Sequence, residues 1–166
     1  MRQANGFGLI ELLIVLVIVA ILATVVTPSF VGFVNRIRVT TTVNDYVAAL
    51  HGARSYAVRE GEQALLCPTG DGEKCDSSKS YEDGWLITTA PDDSQATQRA
   101  WQPSEAVSIT NNYPGGDDFI RFGADGLPRQ ASGAFLAGSA QFSGGDYERC
   151  VVLSRTGRLR TESSGC

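Results

Sequence analysis

The chain has a single histidine, His51, and no serine, cysteine or paired carboxylate accompanies it to form a nucleophilic triad. No enzyme is read from these residues. Positive charge is also short, with 14 Lys and Arg against 18 Asp and Glu and a formal net charge of -4. That balance excludes a general binder of nucleic acid or anionic membrane, which would gain from a basic surface, and leaves only local binding. Metal ligation is poorly provided for. The segment from Cys67 to Cys75 carries Asp71 and Glu73, but it lacks the alternating ligands of an EF-hand and the cysteine spacing of a zinc knuckle. No metal and no cofactor is expected.

What the sequence does have is an apolar run from Phe7 to Thr27. About 20 such residues in a helix match a hydrocarbon core of ~30 Å, so the run is long enough to span a bilayer. It lacks an Ala-x-Ala site after the apolar core, which argues against an ordinary cleaved secretory signal. The one interruption is Glu11. A carboxylate inside such a segment costs roughly 2.5–3.5 kcal/mol on insertion scales, so it requires a dedicated partner.

Gly6-Phe7-Gly8-Leu9-Ile10-Glu11 followed by this run resembles the class III signal of type IV pilins and type II secretion pseudopilins. The resemblance implies that residues 1–6 are a leader, cut between Gly6 and Phe7 by a prepilin peptidase, and that Phe7 is then N-methylated. Glu11 becomes the fifth residue of the mature chain and pairs with the terminal amine of a neighbouring subunit during assembly. Gly8 departs from the family pattern, which usually has Thr there. Arg2 precedes the run, and the positive-inside tendency places it in the cytoplasm and everything after the anchor across the inner membrane. The head is thus expected in the periplasm, or outside the cell after assembly into a pilus. In that oxidising setting four cysteines read as two disulfides, and their spacing pairs Cys67 with Cys75 and Cys150 with Cys166.

Beyond a membrane and filament-core helix over 7–27, the pattern predicts an amphipathic continuation over 28–60 and a β-rich head over 61–166. Pro28 is expected to kink or briefly break the helix. Phe30, Phe33, Val34, Ile37, Val43, Tyr46, Val47, Leu50, Ala53 and Ala57 recur at intervals of three and four, an apolar stripe that needs a sheet to cover it. Arg36, Arg38, Arg54 and Arg59 read as a solvated face, and Gly61 as the helix stop. Strands are expected at Ala64–Cys67, Gly84–Thr89, Ala106–Asn111, Phe119–Phe122, around Phe135 and Leu136, and at Arg149–Ser154, with a turn at Gly157 into Arg158-Leu159-Arg160. A long helix followed by antiparallel strands is an α+β arrangement.

Several head segments sharpen the resemblance. Ala53-Arg54-Ser55-Tyr56-Ala57-Val58, Asp83-Gly84-Trp85, Ile120-Arg121-Phe122 with Gly126, and Ser154-Arg155-Thr156-Gly157-Arg158-Leu159-Arg160 are similar to the FimT/FimU/GspH family, which implies the pilin fold, a long helix packed on an antiparallel sheet. In FimT-like minor pilins a Gly-Arg-x-Arg motif in the C-terminal tail is associated with binding DNA in natural transformation. The resemblance thus implies that Gly157, Arg158 and Arg160, assisted by Arg155, bind duplex DNA. Alternation puts Arg158 and Arg160 on one side of an extended segment, where their planar forks suit phosphate oxygens. The same residues also fit an exposed edge strand kept soluble by charge. On that second reading the chain is a FimU-like priming subunit at a pilus tip that helps start assembly with other pilins, or a GspH-like pseudopilin of type II secretion whose partners are other pseudopilins and exported proteins. Gly115-Gly116-Asp117-Asp118-Phe119 has the letters of a diguanylate cyclase signature, but it follows the membrane anchor and reads as a turn before a strand.

Overall fold

A computed structural model describes residues 8–114 and 119–166, with the backbone alone over 23–29. The chain divides into two compact units between Val34 and Asn35. Helix α1, Leu9–Glu60, opens in the first unit, where the Gly8 carbonyl accepts the N–H groups of Glu11 and Leu12 at 3.1 and 3.2 Å. From Leu9 to Leu22 every side chain is exposed and nearly all are apolar, so the helix has no preferred buried side there. Among the described residues no helix is long and apolar enough to cross a membrane, and the described side chains of this run stop at Leu22. The short break expected at Pro28 is absent. Proline removes one helix hydrogen bond, and a helix of 52 residues runs through that local loss.

The second unit gathers its core around the later part of α1. Val39, Val43, Tyr46, Ala49, Leu50, Ala53 and Ala57 form one buried stripe at spacings of three and four. Phe30, Phe33 and Ile37, expected to continue that stripe, are 64%, 59% and 49% exposed. The stripe divides because the buried contacts with the strands begin only at Val39. Small residues let the helix lie close to the sheet, and a Cβ on Gly52 would stand 3.1 Å from Ile87 Cδ1. The Gly61 N–H closes the last turn on the Ala57 carbonyl at 3.0 Å.

Nine strands follow: β1 Ala64–Pro68, β2 Trp85–Thr88, β3 Thr97–Trp101, β4 Ser108–Asn111, β5 Ile120–Phe122, β6 Pro128–Arg129, β7 Gly138–Gly144, β8 Tyr147–Leu153 and β9 Leu159–Glu162. They form two antiparallel sheets, ordered β3-β2-β1-β5-β6 and β4-β7-β8-β9. Buried on both faces, β1 reads as a continuous apolar run and occupies the middle of its sheet. The strand expected around Phe135 and Leu136 is instead a single bridge from Phe135 to Arg129, and pairing starts at Gly138. That strand, Gly-Ser-Ala-Gln-Phe-Ser-Gly, has turn-like composition, yet Ala140, Phe142 and Gly144 alternate into the core. The expected turn over 115–118 lies outside the described residues.

Tyr46 ties the layers together. Its ring stands edge-on to Tyr81 and Trp85, with centroids at 5.3 and 5.5 Å, and is tilted against Phe142 at 5.2 Å. Its hydroxyl donates to the Tyr113 hydroxyl at 3.2 Å, and burial pushes both phenols well above their ordinary range. Loops around this core are pinned by aspartates. Asp71 accepts the Glu73 and Lys74 N–H groups at 2.8 and 3.1 Å, and Asp125 accepts the Leu127 N–H at 3.0 Å and Arg129 at 2.5 Å. These bonds hold both carboxyls below the usual aspartate value. A depressed folded value stabilises above the unfolded value and is lost as pH falls through the folded one. Stability should therefore be level above about pH 4 and decline below it. Urea midpoints taken from pH 6 downwards check this, and Asp71→Asn should make the decline shallower.

Candidate nucleic-acid interface

The C-terminal hairpin is built by β8 and β9, with Leu153 opposite Leu159, Val152 opposite Arg160 and Cys150 opposite Glu162. Leu153 and Leu159 face the core, which places Arg158, Arg160 and Glu162 on the outer face by alternation. Ser154 organises the turn between the strands. Its carbonyl accepts the Gly157 N–H at 2.9 Å, its N–H donates to the Arg158 carbonyl at 3.0 Å, and its hydroxyl accepts the Arg158 N–H at 3.0 Å. Arg155 and Thr156 stand exposed at the tip.

Gly157 is buried at φ +75°, and Gly126, in the turn between β5 and β6, at φ +70°. Both positions need glycine for conformation and for space. A Cβ on Gly157 would meet the Gly126 carbonyl at 3.0 Å and the Arg54 guanidinium at 3.1 Å, and a Cβ on Gly126 would meet Val58 at 2.9 Å and Arg54 Nε at 3.2 Å. Arg54 on α1 donates from Nη1 to the Gly157 carbonyl at 2.9 Å. The half-buried Arg54 is therefore a clasp between the helix and one turn from each sheet, not a member of a solvated face. Sequence reasoning missed it because the acceptor is 103 residues away.

The cations of this hairpin differ in what they touch. Among the described residues Arg155 and Arg158 form no ion pair, whereas Arg160 meets Glu162 at 2.7 Å. Arg149 belongs to the opposite, inward alternation of β8. Its guanidinium lies 6.0 Å from the Tyr147 ring, and its Nε is buried without an acceptor. The hairpin is tied down by Cys150–Cys166, with Cα atoms 5.2 Å apart, and a second disulfide, Cys67–Cys75, closes the loop after β1. No group of His, Cys, Asp and Glu among the described residues is arranged to hold a metal.

At the other end, Glu11 lies in the first turn of α1, exposed and without an ion pair among the described residues. Gly6 and Phe7, the expected cleavage and methylation positions, lie outside the described residues.

The prokaryotic N-terminal methylation motif matches residues 1–27, and the family of type II transport protein GspH matches residues 42–157, from α1 to the clasped turn. The chain belongs to the GspH family. Relatives of this GspH-family chain include a fimbrial protein of Pseudomonas aeruginosa, 30% identical over 69% of the chain and 65% of the relative. Another is the type II secretion system core protein G of Klebsiella pneumoniae, 27% identical over 77% of the chain and 90% of the relative. The chain thus spans about two thirds of the length of the fimbrial relative. The crystal structure of the type IV minor pilin FimU of Pseudomonas aeruginosa superimposes with a TM-score of 0.60 at 19% identity, covering 81% of this chain and 96% of the crystallised FimU chain. The GspH-family head therefore has the pilin fold.

Replacing Arg54 by Met keeps most of the packing and removes the bond to Gly157. Amide exchange at Gly157 and Arg158 should accelerate while exchange in β1 stays slow, because the effect is local. Cys150→Ser with Cys166→Ser removes a closed loop that in the chain-entropy model stabilises by about 3 kcal/mol, and the denaturant midpoint should fall accordingly.

Proposed function

We propose that this GspH-family chain is a minor pilin that assembles through α1 into a type IV pilus and binds duplex DNA through its C-terminal hairpin during uptake. The observation that carries the DNA part is the hairpin itself: Arg158 and Arg160 on one outer face, Arg155 at the tip, and the whole held by a disulfide and the Arg54 clasp. A fixed frame reduces the ordering cost of binding, and two guanidiniums on one side suit successive phosphates. The assembly part rests on family membership, on the methylation motif, and on an exposed apolar helix bearing Glu11. On this reading a prepilin peptidase cuts between Gly6 and Phe7, Phe7 is methylated, and the inner membrane stores the subunit with its head in the periplasm. Glu11 then meets a neighbour's terminal amine.

One observation favours a second reading. Glu162 already occupies Arg160, which suits an edge strand kept soluble by charge in a FimU-like priming subunit or a GspH-like pseudopilin. That exposed pair is weak in water, and phosphate competes with it.

Binding of the full-length protein in detergent to a short labelled duplex decides between them. Affinity should fall steeply with salt, with a log-log slope of roughly -0.9 per phosphate neutralised, and vary little with sequence. The Arg158→Gln, Arg160→Gln double variant should bind more weakly with a flatter slope, and Glu162→Gln should bind more tightly. An unchanged double variant, or no binding by the wild type at low salt, would move the assignment to the structural reading. Separately, Glu11→Ala should leave the head folded by circular dichroism and be depleted from sheared filaments.

A further inference from the structure

The helix face that meets the basic turn carries cations of its own. His51, Arg54, Ser55, Val58 and Arg59 line a groove of about 370 Å³ on α1, and no carboxylate is among them. Arg54 belongs to both surfaces, since its guanidinium reaches the Gly157 carbonyl and the residue also lines the groove. Guanidinium carries five N–H donors, and the Gly157 bond is the one side-chain hydrogen bond of Arg54 among the described residues. The two glycine turns fix this fork in place, so little rotamer freedom is left to lose on binding. Arg59 is 66% exposed, lies 5.5 Å from the Tyr56 ring and pairs with Glu60 at 2.8 Å. An exposed pair of this kind exchanges readily for a phosphate.

We propose that this groove is a phosphate-binding site that continues the basic surface of the hairpin onto α1, with Arg54 shared, and with Arg59 and His51 as its outer contacts. A polyanion backbone lying across the Gly157 turn then touches Arg158 on one side and Arg54 and Arg59 on the other. The identity of that polyanion as DNA rests on the function proposed above; the affinity of the groove for phosphate does not.

The informative variant is His51→Gln with Arg59→Gln, which leaves Arg54 and the clasped turn intact. Against a short labelled duplex, the full-length variant in detergent should bind about threefold more weakly or worse at low salt, and its salt slope should shrink by roughly 0.9 for each phosphate that is no longer neutralised. Glu60→Gln should act in the opposite direction, which a merely structural effect of Arg59 does not predict. Wild-type affinity and slope in the double variant, with Glu60→Gln also unchanged, would overturn the site. If the wild type binds no duplex, the DNA reading alone falls, and tripolyphosphate tests the groove directly. Amide shifts over residues 51–59 that disappear in the double variant support it, and no shifts in the wild type would overturn it.

Discussion

Tyr46 sits where one helix must satisfy two sheets at once. Its ring is bounded by Tyr81 from a loop, Trp85 from the first sheet and Phe142 from the second, and its hydroxyl ends on Tyr113. Aromatic pairs of this edge-on and tilted kind are worth about 0.5–1.5 kcal/mol each beyond their burial, and four neighbours fix the ring in one orientation. The remaining core follows along α1 in both directions, with Val39 and Val43 before Tyr46 and Leu50, Ala53 and Ala57 after it. Because the two sheets share no strand, the helix stripe is the element that sets their relation within the head.

That dependence extends to the surface. Arg54 lies one turn after Leu50 on the same helix, and it brings the Gly126 turn of the first sheet and the Gly157 turn of the second against α1. The hairpin bearing Arg155, Arg158 and Arg160 is thereby held by the core through Leu153 and Leu159, by the clasp at its turn, and by Cys150–Cys166 at its open end. An acidic protein with a small, rigid basic edge is suited to weak contacts with a polyanion that strengthen steeply at low ionic strength. The same acidity disfavours indiscriminate binding elsewhere on the head.

Family membership and fold are compatible with more than one role. The GspH family match ends at Gly157, just before Arg158 and Arg160, so the two arginines on which the proposed DNA binding turns lie outside it. Fold likeness to FimU says how the chain is built, and function on a shared fold resides in the site. The charge pattern of the hairpin and the helix groove beside it is therefore the feature that distinguishes the roles.

Local chemistry made much of this legible in the sequence. The apolar run, Glu11, the helix stop at Gly61, the 3.6-residue stripe from Val43 to Ala57 and the apolar strands β1 and β8 all declare themselves through neighbours within a few residues. Composition misled at β7, where Gly and Ser look like a turn until β4 and β8 pair with them on both sides. It misled again at Phe30, Phe33 and Ile37, whose spacing continues the stripe although all three are exposed. What only the tertiary structure decided was the part each arginine takes. Among the described residues Arg54 clasps, Arg149 faces inward, Arg160 has an ion pair and Arg158 has none, because a guanidinium's role is set by acceptors brought near by folding, as far as 103 residues along the chain.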